Sequence, residues 1–326
     1  MDSDYTVRLA QPQEAPRVVA LLERCYRGTY TNPEALDATR VARQILDGGI
    51  LVALAETRAG ALVGTGTVEV VNERSATYGR CVVEREHRGR GLLRRIGRLL
   101  VLDAAPRRGL RYVHSSVVTN HRYAQLHCVE LGAAPAGLLL GHYPPGMCMD
   151  GIGLSQHPVS AAQVVFAHEL APERRQLALR GADLRRAREV LAVCQIPWVR
   201  APRGPQACGW EWVAAPAIGL VHWRARPGGG PMELDLAPGA GARLLWVDLP
   251  ATDPGAQTAL DRLRERGFCF GAYLPGLGVD GGDVVRMQRY QGAEPLDEGA
   301  VCMAPAYAAA ARDVFADNRR AHPVCA

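Results

Sequence analysis

Hydrophobic and polar positions in the first half of the chain change period in a regular order. Tyr5–Leu9 reads as a strand, and Glu14–Arg27 sets Val18, Val19, Leu21 and Leu22 on one helical face. A polar, aromatic loop follows at Tyr26–Asn32, then a helix from Pro33 to about Asp47, closed by Gly48 and Gly49. Strands are predicted over Ile50–Ala55, Ala61–Val71 and Thr77–Glu84, with Arg58–Gly60 as a turn. A basic glycine turn then opens a helix that runs to about Ala105. A strand at Arg111–Val118, a helix at Tyr123–Leu131 and a strand at Gly137–His142 complete the half. The order is β-α-α-β-β-β-α-β-α-β.

The junction from Val82 to Leu100 carries the most chemistry. Its β-branched start reads as a strand end, and Arg88, Gly89, Arg90 and Gly91 form a turn. Leu92, Leu93, Ile96, Leu99 and Leu100 then recur at helical spacing, with arginines opposite. A strand that turns through glycines into a helix aims unpaired backbone N–H groups, and the positive end of the helix dipole, at one point. That arrangement suits an anion, most naturally a phosphate or pyrophosphate.

Past Tyr143, Pro144, Pro145 and Gly146, a Gly/Pro/Ser-containing stretch to Ser160 marks a boundary. Two domains are expected, 1–150 and 151–326. In the second, Gln163–Leu170 reads as a strand and Ala182–Cys194 as an arginine-rich helix. Short strands follow at Trp210–Val213, Ile218–Arg224, Met232–Leu236 and Arg243–Leu249. Thr258–Arg266 is a predicted helix, Gly267–Leu274 and Asp283–Tyr290 a closing hairpin, and Ala306–Asn318 a final helix. One internal echo stands out. Thr119, Asn120, Ala124 and Gln125, a helix, Leu131-Gly132 and an apolar strand resemble Thr252, Asp253, Ala256 and Gln257, a helix, Arg266-Gly267 and a strand ending at Pro275-Gly276.

Composition narrows the class. At 326 residues with 48% hydrophobic and 22% charged content, a packed core is expected and global disorder is excluded. No apolar run is long enough for a membrane span, and the Met1–Asp4 start lacks a secretory pattern, so a cytoplasmic location is expected. The chain has no lysine, so all 38 basic residues are arginine, which a GC-rich genome explains. The net charge of +5 is spread out, which argues against nucleic-acid binding and is compatible with an anionic cofactor. Nine scattered cysteines, none in a Cys-x-x-Cys pair or at zinc spacing to a histidine, read as reduced, mostly buried thiols, and no metal is expected.

Several phosphate-binding motifs are excluded. A Walker loop needs a lysine. A dinucleotide fingerprint needs a third glycine where Arg94 stands. Gly64, Thr65 and Gly66 lie inside a strand pattern, and Pro238–Ala242 precedes another predicted strand instead of a helix. Arg88, Gly89, Arg90 and Gly91 do resemble, in place, the Gln/Arg-x-x-Gly-x-Gly/Ala pyrophosphate motif of the GNAT superfamily of acyl-CoA-dependent N-acyltransferases. Leu93 departs from the final Gly/Ala. The element order over roughly residues 5–145 is also that family's, as is Val7–Ala10 followed by Glu14.

The resemblance implies an α/β (α+β) GNAT fold, a mixed central sheet flanked by helices. It is similar to tandem forms in which a smaller, degenerate second GNAT-like domain caps the site, completes it or mediates dimerisation. It implies acyl-CoA, with acetyl-CoA as default, as donor. Cys81, Val82 and Val83 would run beside the pantetheine, and Arg88, Gly89, Arg90, Gly91, Leu92 and Leu93 would hold the pyrophosphate. An amine of a small molecule or amino acid would attack the thioester directly. A homodimer and an acyl carrier protein partner stay open.

The same resemblance bears on the catalytic groups. Alignment of Leu131-Gly132-Ala133 with the family's Leu-Gly-Phe puts Cys128 where a tyrosine acid is usual. His121, Tyr123 and His127 are substitutes; His121 is favoured because histidine serves as acid or base near neutrality, though a surface His121 beside a capping Asn120 is an equal reading. Cys128 reads as packing ahead of a nucleophile. Glu69 is the candidate base, or else an exposed strand carboxylate. Tyr26 and Tyr30 are candidate walls of the acceptor site. Two other readings share these features: thioester chemistry that uses a carrier protein or involves no transfer, and a non-catalytic acyl-CoA-binding regulator or scaffold.

Overall fold

The computed structural model describes residues 4–150, 152, 157–168, 172–202, 208–215, 218–227 and 240–321. These divide into two compact units, Met1–Ser115 with Pro145–Gln156, and Ser116–Pro144 with His157–Ala326. The division interleaves, whereas the sequence suggests a single cut at 150.

The first unit follows the predicted order. β1 (Tyr5–Leu9) leads to α1 (Ala15–Tyr26), whose buried face includes Val18, Val19, Leu21 and Leu22. The single helix expected from Pro33 is broken into a 3-10 turn, Pro33–Leu36, and α2 (Ala38–Leu46). Asn32 caps the turn, and Asp37 accepts from Thr39 N and Arg40 N to start a new helix. A short acceptor side chain competes for helical N–H groups, so the break is written in Asp37. β2 (Ile50–Thr57), β3 (Leu62–Val70) and β4 (Ser75–Val83) form an antiparallel meander beside β1. α3 (Leu92–Gly97) widens to a π-helix over Arg98–Ala104 and ends in α4 (Ala105–Arg107). β5 (Tyr112–Val118) then runs parallel to β4. The α1 face of the sheet packs Ile50, Val52, Leu54 and Val82 against the helix.

The segment after Pro145 returns to this unit. Cys148 N donates to Thr29 Oγ1 at 3.0 Å, Asp150 N to Cys25 O at 2.7 Å, and Arg27 pairs with Asp150 at 2.6 Å. Met147 and Met149 pack on the same core as Tyr30.

The second unit contains α5 (Tyr123–Glu130), β6 (Ala134–Tyr143) and β7 (Val159–Ala167). The short strands β8 (Arg175–Leu177) and β9 (Trp198–Arg200), not foreseen, make a parallel ribbon around α6 (Gly181–Val193). Then come β10 (Cys208–Ala215), β11 (Leu220–Pro227), β12 (Leu244–Pro250), α7 (Ala256–Glu265), β13 (Cys269–Leu274), β14 (Val284–Tyr290) and α8 (Ala308–Ala321). The expected Met232–Leu236 strand lies outside the described residues.

Strand order here is β5-β7-β6-β13-β14-β12-β11-β10. In both β5-β7-β6 and β12-β14-β13 the last strand in sequence sits in the middle. β11 is parallel to β12, just as β4 is to β5. The echoing glutamines have matching work. Gln125 is fully buried, donates to Val118 O, His121 O and Cys302 O, and accepts from Ala304 N. Gln257 accepts from Arg180 N at 2.6 Å and donates to Asp183. Each side chain pins a distant segment to the start of its helix.

Candidate active site

The glycine turn is built as its residues dictate. Gly89 and Gly91 take φ of +75° and +71°, which side chains with a Cβ rarely adopt. A Cβ at either would meet nothing within 4 Å, so backbone conformation, not crowding, demands glycine. Gly91 caps α3 without any side-chain acceptor, leaving the first N–H groups of the helix to whatever lies outside. Arg88 folds back so that Nε donates to Val83 O at 2.9 Å. Its Nη2 is buried with no hydrogen-bond partner among the described residues. An orphaned guanidinium nitrogen beside exposed glycines and open helix N–H groups fits an anionic group such as a pyrophosphate. Arg90 lies over the Tyr5 ring and Arg95 donates to Tyr5 O, so Leu93 and its neighbours are anchored to β1.

Gly66, excluded above as a phosphate glycine, has a packing role. A Cβ there would stand 2.7 Å from Ile96 and 3.2 Å from Cys81 Sγ, so its absence lets α3 lie close on β3.

Beside the turn, β4 carries a bulge. Thr65 pairs with Val82 but Thr67 with Gly79, so Arg80 and Cys81 together oppose Gly66. Arg80 takes φ +54°. The bulge sends Cys81 toward α3, where burial pushes its thiol up to about 12, keeping it protonated. Arg80 instead pairs with Glu69 at 2.7 Å. Glu69 shares its face with Thr67, as its strand parity requires, and stays 38% exposed at the side chain. Tyr30 lies within electrostatic range of Arg80, Cys81 and Glu69, and burial pushes its phenol up to about 12. Its ring is 4.5 Å from that of Tyr26. The first unit therefore groups Glu69, Cys81, Tyr30 and Tyr26. The sequence reading missed Arg80; an arginine inside a strand, next to a Gly79 that opens the strand, was the available signal.

His121, Tyr123 and Cys128 belong to the second unit. The rings of His121 and Tyr123 are 5.5 Å apart, and Tyr123 is largely exposed. Cys128 is buried in α5. The neighbouring His127 is buried too, which pushes its imidazole down to about 4 and leaves it neutral near pH 7. Ala240–Ala242 leads into the strand β12, so the second glycine segment has no helix directly after it.

No helix among the described residues is long and apolar enough to cross a membrane. The described residues also hold no group of three His, Cys, Asp or Glu placed for a metal ion.

With this geometry in place, the chain was compared with known proteins. Residues 15–132, less than half of the chain, match the model of the acetyltransferase (GNAT) family. No curated protein matches the chain. Among solved structures it is similar to yncA from Salmonella typhimurium with its cofactor acetyl-CoA, at 15% identity and TM-score 0.41, covering 52% of this chain and 99% of that one. Ribosomal-protein-S5-alanine acetyltransferase from Vibrio fischeri shows 10% identity and TM-score 0.42 over 53% of this chain and 98% of that one. YhbS from Escherichia coli, solved with CoA, shows 22% identity and TM-score 0.30 over 36% and 64%.

Proposed function

We propose that this chain is an acyl-CoA-dependent N-acyltransferase, acetyl-CoA being the default donor, with a single donor site in the first unit. The observation that carries the reading is the Arg88–Leu93 turn, with two left-handed glycines, a helix start without a side-chain cap and a buried guanidinium nitrogen lacking a partner among the described residues. N–H groups of Arg88–Leu93 would hold the pyrophosphate, and the backbone of Cys81–Val83 would lie beside the pantetheine. The donor supplies an activated acyl carbon: the amine nitrogen bonds to it, the C–S bond breaks, and the amine's proton is lost as the thiolate gains one.

Glu69, held by Arg80, would orient the incoming ammonium and draw off its proton directly or through water. His121 is the candidate acid for the thiolate, with Tyr123 as runner-up. Cys128 packs in the helix core. The repeated strand order and the paired glutamines support a tandem arrangement with a degenerate second GNAT-like half. They also favour placing the boundary after β7 instead of at 150.

The test is thiol release from acetyl-CoA across a panel of amines. Turnover with at least one amine is expected. Tight CoA binding without turnover on any amine would leave the non-catalytic acyl-CoA-binding reading in its place. His121→Ala should lower kcat by roughly 10²-fold with donor affinity intact, and an unchanged kcat removes His121 from the mechanism.

A further inference from the structure

We infer that the acceptor is an amine that also carries a carboxylate, such as a free amino acid, and that Arg80 is the residue that selects it. This inference rests on the acyl-transfer reading above. If the pantetheine lies along Cys81–Val83 from the pyrophosphate turn, its thioester end arrives at the preceding residue, Arg80.

Arg80 is an unusual residue to find there. It occupies the left-handed position of the β4 bulge at φ +54°, a conformation disfavoured for a long side chain. Its side chain is only 10% exposed, yet among the described residues its single side-chain partner is Glu69, itself 38% exposed. A guanidinium has five N–H donors in a planar fork, and one carboxylate oxygen at 2.7 Å engages one nitrogen. The fork keeps capacity for a second carboxylate, for which bidentate geometry is its natural match. A Cβ on Gly79 would meet nothing within 4 Å, so there is room on this side of the bulge. Tyr30, whose ring is 4.5 Å from that of the buried Tyr26, lies within electrostatic range of Arg80 and Glu69.

The charges sort the candidates. Glu69 attracts an ammonium and Arg80 repels one, so a simple amine or polyamine finds the two effects opposed. An amino acid places its carboxylate on Arg80 and its amine beside Glu69, satisfying both.

The experiment compares matched sets of acceptors with the full-length chain and acetyl-CoA: L-amino acids, their carboxamides, and the corresponding decarboxylated amines. Amino acids should show kcat/KM higher by roughly tenfold or more. Arg80→Gln should raise KM for the amino acids by a similar factor. It should leave the acetyl-CoA KM within about twofold and shrink the kcat/KM preference for amino acids over the decarboxylated amines by the same factor, whatever it does to turnover of both through Glu69. Arg80→Lys, which keeps the charge but not the fork, should recover part of the loss. Equal or better turnover of the amides and decarboxylated amines by the wild-type chain overturns the inference while acyl transfer stands. Thiol release with no amine of any class removes the acyl-transfer reading, and this inference with it.

Discussion

The two units differ in where their most telling charged residues sit. In the first, Arg88 keeps a nitrogen without a partner among the described residues, Glu69 stays partly exposed, and Gly89 and Gly91 would meet nothing within 4 Å of an added Cβ. In the second, several buried charges are tied to one another, although Arg186 Nη1 and Arg224 Nε have no hydrogen-bond partner among the described residues. Arg286 grips Asp248 through two 2.7 Å hydrogen bonds while its guanidinium lies 4.3 Å from the Trp246 ring centre. His222 Nε2 sits 2.9 Å from the same carboxylate, though out of line for a good hydrogen bond. Asp183 takes Arg264 at 2.6 Å, and Gln288 bonds Leu140 N, Leu138 O and Phe270 O. A polar group satisfied on every side holds a fold together. One left with capacity at a surface is available to a ligand.

The largest expected effect breaks the second pattern. Asp248→Ala leaves Arg286 buried without its counter-charge and should cost about 3–5 kcal/mol, read as a lowered urea midpoint. Loss below 1 kcal/mol would mean the pair is solvated and the contrast false. Gly91→Val tests the first pattern. Forcing a β-branched residue to φ +71° should cost about 1–3 kcal/mol of stability, because no atom blocks the new side chain. Acyl-CoA affinity should fall at least about tenfold, and unchanged calorimetric affinity would refute the turn as donor site.

Acid should act chiefly on the second unit. Burial pushes His127 down to about 4 and His142 to about 3, against about 6.5 in an unfolded chain. Below that value the unfolded state binds protons that the folded state refuses. Their contribution is therefore intact above about pH 6.5 and lost progressively as pH falls toward 4 and 3. A melting temperature flat between pH 7 and 5 would contradict this. The smallest effect belongs to an exposed pair: Arg24→Ala, which removes the 2.8 Å contact to Glu84, should change stability by about 0–1 kcal/mol.

Much of the fold was legible because local signals agreed with it. β1 and the helix faces of α1 and α7 follow from periodicity, and Asp37 shows how one side chain can divide a predicted helix. The glycine turn was legible for the same reason: positive φ, helix start and anion preference are properties of a few adjacent residues. The ribbon of β8 and β9 was not, since three-residue strands carry too little pattern. Arg80 escaped notice because its neighbour Gly79 permits a bulge without fixing where the register shifts. Its role depends on a register shift against Thr65 and Thr67 across the sheet.

The sequence alone therefore determined the order of elements in the first half, the turn at Arg88–Leu93 and the similarity of that half to GNAT acetyltransferases. Those features rest on short-range steric and hydrogen-bonding preferences. Only the tertiary structure decided that Arg80 meets Glu69, that β7 lies between β5 and β6, and that Gln125 and Gln257 anchor distant segments. Such pairings join residues far apart in the chain, and their energies come from packing and partner choice that no local pattern encodes.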